Sequence, residues 1–169
     1  QDTTIESNQK LTIGPDVTLK ANNFKIINRG IIDINLGRLE PRQSDNTQLG
    51  GVIFDIFNYG TINIKGDVDT LNNNGQGFPY YGVMYMINSA FENNGIVNIN
   101  EYGELYNGPG SYFKNDEESV INIRAEGVLK MENSTLLNDG VIDNEGEFKV
   151  YGTSTIEGNG TIEGEIVLG

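Results

Sequence analysis

The chain has 169 residues, a formal charge of −13, 37% hydrophobic residues and no His, Cys or Trp. That length suits one domain spanning residues 1–169, with enough apolar content to bury a core. The acidic balance leaves no basic patch to displace counterions from phosphates, so no nucleic acid is expected as a partner. The missing thiols exclude a disulfide framework or a thiolate metal site, and the apolar runs are too short to predict membrane insertion.

Gly contributes 22 residues, and Asn and Ile are each about as frequent. Such a composition predicts tight turns joined by short β-branched strands. Residues 1–13, "QDTTIESNQKLTI", hold no amphipathic helix; from residue 11 apolar and polar residues alternate as half-buried strands do. Residues 27–39, "INRGIIDINLGRL", state in full a phrase that recurs along the chain. The polar stretch 40–51 interrupts it before it returns at 57–68 as "FNYGTINIKGDV". A longer insertion, near 66–84, carries Phe78, Tyr80 and Tyr81. The phrase then resumes at 93–105 as "NNGIVNINEYGEL", with "SAFEN" (89–93) leading into it. "VINIRAEGVL" (120–129) repeats it with Ser119 in the glycine slot, and "STLLN" (134–138) leads to "LNDGVIDNEGEF" (137–148). A last copy, "GNGTIEGEI", lies near the C-terminal end.

Aligned on their glycines, Gly30, Gly60, Gly95 and Gly140, the copies lie 30, 35 and 45 residues apart. Ser119 splits the last gap into 24 and 21, and Gly160 follows after 20. A period near 20, with longer early gaps as loops, is the mark of a solenoid. Three short strands joined by corners fill one period, so the predicted fold is all-β: a three-sided parallel β-helix of about seven coils. Asn28, Asn58, Asn93 and Asn138 are then expected to stack as a hydrogen-bonded ladder. The glycines after them are expected at corners that need φ > 0.

The chain resembles the right-handed parallel β-helix class, and in particular the Asn/Gly-rich NxGxIxI repeats of prokaryotic surface, adhesin and fibre proteins. The resemblance implies architecture and leaves activity open, because many functions share this fold. β-Helix enzymes acting on acidic polysaccharides offer one comparison: the polygalacturonase-like ones cluster Asp residues, two of them adjacent, near a His. This chain has neither His nor an Asp-Asp dipeptide. Asp67 and Asp69, and the run Asp116, Glu117 and Glu118, are the remaining carboxylates for acid–base work, and solvated corners account for them more simply. No enzyme activity and no cofactor is expected. "DVDTLNNNG" (67–75) faintly resembles a calcium loop but puts Leu71 at a ligand position, which leaves Ca²⁺ only a weak reading on surface carboxylates. Asn133 and Asn159 begin the sequons Asn-Ser-Thr and Asn-Gly-Thr.

The chain starts at Gln1 without Met, which reads as a processed, secreted, extracellular or cell-surface form. Residues 1–42 carry net +1 and residues 132–169 net −7. Neither end shows a capping helix, so both are expected to expose strand edges. A near-neutral head and an acidic tail favour head-to-tail contact, which does not close and so builds a filament. The expectation is therefore a structural subunit with itself as partner. Its assembly surface would comprise Thr4, Ile5, Leu11 and Ile13 on one side and Ile162, Ile166, Val167 and Leu168 on the other. The alternative is a glycan- or surface-binding adhesin module using the 66–84 loop with Phe78, Tyr80 and Tyr81, and a β-helix enzyme acting on polysaccharide is the third reading.

Overall fold

The computed structural model of the protein describes residues 2–21, 24–41, 54–69 and 78–169. Every regular element among them is a β-strand. Twenty-one of the strands form three parallel sheets of seven, wound as a three-sided solenoid of about seven coils. Face 1 stacks Thr3–Ile5, Phe24–Asn28, Phe54–Asn58, Ala90–Asn93, Tyr112–Asn115, Thr135–Asn138 and Thr155–Glu157, which open coils 1 to 7 in turn. Face 2 stacks Lys10–Ile13, Ile31–Asn35, Thr61–Lys65, Ile96–Ile99, Val120–Ile123, Val141–Asn144 and Thr161–Glu163. Face 3 stacks Thr18–Ala21, Arg38–Pro41, Gly82–Met86, Gly103–Asn107, Val128–Glu132, Glu147–Tyr151 and Ile166–Leu168.

The period-2 pattern of each strand sends alternate side chains inward, and parallel in-register pairing lines them up in columns along the axis. On face 2, Ile62, Val97, Ile121 and Ile142 stand in one column, each with 0% exposure. On face 1, Phe91 and Phe113 stack with centroids 4.5 Å apart and planes at 14°. Face 3 contributes Leu39, Met84, Leu105, Leu129 and Phe148. Each such side chain is worth about 1.5–3 kcal/mol of burial, so the core runs unbroken along the solenoid. Two strands interrupt the pattern: Asp67–Asp69 and Phe78–Tyr80 pair antiparallel at the corner between faces 2 and 3 of coil 3.

The corners depart from expectation in one respect. Gly30, Gly60, Gly95 and Gly140 do not have positive φ; among the described glycines only Gly110, Gly152, Gly158 and Gly164 do. What demands glycine is close stacking. A Cβ on Gly60 would lie 2.2 Å from the Gly30 carbonyl oxygen, and one on Gly95 would lie 2.3 Å from that of Gly60. The left-handed conformation falls instead on the corner between faces 2 and 3, at Asp16, Leu36, Tyr102 and Glu126 with φ of 54–62°. The corner between faces 3 and 1 uses Asn88 and Asn133, both at φ 49°, alternating with Gly110 and Gly152. Asn tolerates that region better than most residues.

Candidate functional site

The asparagine column is the most ordered polar feature inside the solenoid. Asn28 Nδ2 donates to Asn58 Oδ1 at 2.7 Å, Asn58 to Asn93 at 2.7 Å, Asn93 to Asn115 at 2.8 Å and Asn115 to Asn138 at 2.8 Å. All five residues are buried. Each Nδ2 also reaches a backbone carbonyl of the next coil, from Thr61 O to Thr161 O, at 3.1–3.4 Å. Ile5 occupies the same column in coil 1 and closes it over Asn28, whose Oδ1 accepts from Gly30 N at 3.2 Å.

Asn115 is the member that sequence alignment on glycines passes over. Coil 5 has two extra residues at this corner, and Ser119 follows them in the glycine slot. Its carbonyl accepts from Val141 N as that of Gly30 accepts from Thr61 N. The Ser119 hydroxyl donates to Asn115 Oδ1 at 2.7 Å, doing what a glycine N–H does in coils 2 and 4. Counted by the asparagines, the successive separations are 30, 35, 22 and 23 residues.

A second ladder runs on the outer surface of face 2 with opposite polarity. Asn122 donates to Asn98, Asn98 to Asn63 and Asn63 to the Asp33 carboxylate, at 2.7–2.8 Å. Lys10 pairs with Asp33 at the near end, and Arg124 Nη1 lies 2.9 Å from Asp143 at the far end. Its sequence signal was the polar residue that follows the first buried apolar one in each phrase, Asp33, Asn63, Asn98, Asn122 and Asp143, with Glu163 in the last copy.

The axial faces of coils 1 and 7 differ in their covering. In coil 1, Ile5 and Ile13 are buried, Leu11 is half-buried and Thr4 is exposed on the outer surface. In coil 7, Ile156, Ile162 and Ile166 point inward yet are only half-buried, while Val167 is 48% and Leu168 77% exposed. Both inward asparagine positions of coil 6 meet glycine in coil 7. Gly158 follows Asn138 and Gly164 follows Asn144, at φ 109° and 90°.

The expected insertion at 66–84 rejoins the solenoid earlier than its sequence bounds suggest, since Gly82–Met86 is a regular face-3 strand. Of the expected insertion at 40–51, Glu40 and Pro41 belong to a face-3 strand and the rest lies outside the described residues. Phe78 and Tyr80 pair with Asp69 and Asp67 through the backbone. Tyr81, at 39% exposure, overhangs an open groove of about 540 Å³ on face 3. Asp16, Val17 and Thr18 line it from coil 1, Leu36 and Arg38 from coil 2, Val83 and Tyr85 from coil 3, and Glu104 from coil 4. The Arg38 guanidinium packs 5.1 Å from the Tyr85 ring centroid, with Nε 3.5 Å from Glu40. Tyr85 meets Tyr106 edge-on at 5.3 Å, and Lys130 sits 5.0 Å from the Tyr106 ring. Burial pushes the Glu104 carboxyl above the ordinary carboxylate range, against the opposing charges of Lys130, Lys149 and Arg38. Burial together with the hydrogen bond to Glu132 raises the Tyr106 phenol to about 12.

The other candidates sit apart from this groove. Asp116 pairs with Lys114 and its carbonyl accepts from Ser119 N at 2.9 Å, while Glu117 and Glu118 are exposed. Asp67 and Asp69 lie in the insertion strand, and the remainder of the calcium-like stretch is outside the described residues. Among the described residues no three acidic side chains converge as a metal site. Asn133 and Asn159 are both exposed; Asn133 Oδ1 accepts from Thr153 N at 3.1 Å. Comparison with protein-family models, with curated proteins and with solved structures returns no match.

Proposed function

We propose that the protein is a structural rod that assembles head to tail with copies of itself, as the subunit of an extracellular filament or surface appendage. The Asn/Gly-rich repeats of prokaryotic surface proteins are the likeness this reading follows. The observation that carries it is the fit between coils 7 and 1. Extending the register by one coil sets Ile156 over Thr3, Ile162 over Leu11 and Ile166 over Leu19. It sets Gly158 against Ile5 and Gly164 against Ile13, so an absent side chain faces a bulky one in both corner columns. Outside, Glu157, Glu163 and Glu165 approach an edge that carries Lys10 and Lys20 beside Asp2, Glu6 and Asp16, a less acidic face than a second coil 7, which supports head-to-tail over tail-to-tail contact. On the order of ten ladder hydrogen bonds at ~1 kcal/mol net each would join two copies, against an association cost of several kcal/mol.

Negative-stain electron microscopy of the untagged chain tests the reading. Thin filaments with a repeat near 34 Å, seven coils at ~4.8 Å each, are expected, and Ile166→Lys should disperse them. Single particles at every concentration would sink it.

A further inference from the structure

We propose that the face-3 groove under Tyr81 is a binding site for a neutral carbohydrate, one or two hexose units of an uncharged glycan. This goes beyond the axial assembly and does not depend on it, because the groove opens sideways from coils 1 to 4.

Its lining combines three kinds of group that sugar hydroxyls and ring C–H faces require together. Tyr81 and Tyr85 present aromatic surface over a Val83 that is 7% exposed, and apolar sugar faces pack on such rings. Glu104 supplies a carboxylate acceptor. Among the described residues no hydrogen bond or ion pair within 4 Å engages it, although it is desolvated and its charged form is disfavoured there. Arg38 supplies donors: Nε lies beside Glu40, the guanidinium packs on Tyr85, and its Nη groups have no acceptor among the described residues. A half-buried carboxylate beside a guanidinium can engage neighbouring hydroxyls, one accepting and the other donating.

Size and charge narrow the class. The groove's volume of about 540 Å³ falls inside the ~300–1,000 Å³ usual for small-molecule sites. Asp16 adds a second carboxylate at the rim, giving the lining a net negative charge, within a chain of −13. Uronic and sialic acids would meet like charge, so uncharged hexoses are the fitting class.

The test is saturation-transfer NMR followed by titration, with cellobiose, lactose, maltose and N-acetylchitobiose as neutral probes and sialyllactose and digalacturonate as acidic ones. At least one neutral disaccharide should bind. Tyr81→Ala, Arg38→Ala and Glu104→Gln should each weaken it at least tenfold. Tyr59→Ala, an aromatic 52% exposed at a different corner, should leave binding unchanged. Tyr81 is exposed and Glu104→Gln is isosteric, so both variants should fold; their circular-dichroism spectra should match the parent. No transfer from any neutral probe, binding of acidic probes alone, or neutral binding indifferent to Tyr81 and Glu104 would each overturn the proposal.

Discussion

Gly60 and Gly14 show how differently one residue type is used here. A methyl group on Gly60 would press to 2.2 Å on the Gly30 carbonyl oxygen, and that oxygen is fixed because it accepts from Thr61 N at 3.0 Å. Gly14 has no heavy atom within 4 Å of its notional Cβ, and its φ is not positive. Gly60→Ala is therefore expected to lower unfolding stability by about 2–3 kcal/mol, as overpacking does. Gly14→Ala should be neutral or stabilising by up to ~1 kcal/mol, because it restricts the unfolded chain. Equilibrium denaturation of the two variants checks both; equal losses would show that corner stacking is not what selects glycine. The sequence marked all these glycines alike, since the reason for each lies in the coil beneath it.

The same residue-scale logic separates the two asparagine ladders. Removing Asn93 takes an acceptor from Asn58 Nδ2 and a donor from Asn115 Oδ1, both buried. Each keeps one partner, the Ile96 carbonyl for Asn58 Nδ2 and the Ser119 hydroxyl for Asn115 Oδ1, so each lost hydrogen bond costs about 0.5–1.5 kcal/mol and Asn93→Ala should destabilise by about 1–3 kcal/mol. On the outer ladder Asn98 is only half-buried, and water can replace its partners. Asn98→Ala should cost under ~1 kcal/mol, and denaturant midpoints showing the reverse order would contradict this account.

At the scale of the element, the strands were the legible part of this chain. Period-2 alternation and the repeated Asn-x-Gly announced three faces and about seven coils, because every coil must bury the same columns. Asn115 was less legible, since coil 5 shifts its glycine slot with extra residues while keeping the asparagine in register. The groove was not legible at all: Asp16, Arg38, Tyr81 and Glu104 come from four coils, and only stacking makes them neighbours. Face 3 carries the clearest electrostatic consequence. Tyr106 donates to Glu132 at 3.0 Å, and its phenol is raised from 10 to about 12. A raised folded pKa means that this contribution to stability is complete below pH 10 and is lost as pH climbs through about 12. Absorbance titration of the tyrosinates should show one of the eight tyrosines ionising last, and Tyr106→Phe should delete that late step. A late step that survives the substitution would assign it elsewhere.

At the scale of the whole molecule, each coil rests only on its neighbours, so stability is distributed along one axis. Coil 7 leans on a single neighbour. Its Ile156, Ile162 and Ile166 are half-buried where Leu136, Ile142 and Phe148, one coil earlier, have 0% exposure. Local opening should therefore begin there. In dilute solution, amide hydrogen exchange should be fastest within Thr161–Glu163 and Ile166–Leu168 and slowest within Ile96–Ile99 and Val120–Ile123. Anything that binds the closed form raises protection by mass action, so concentration becomes a probe of what binds where. Head-to-tail pairing would slow exchange in coils 1 and 7 together as protein is added, leaving coils 4 and 5 unchanged. Slowing centred on Gly82–Met86 would instead place self-association at the groove, which would remove axial pairing as the route to a filament and put a second copy in competition with the sugar.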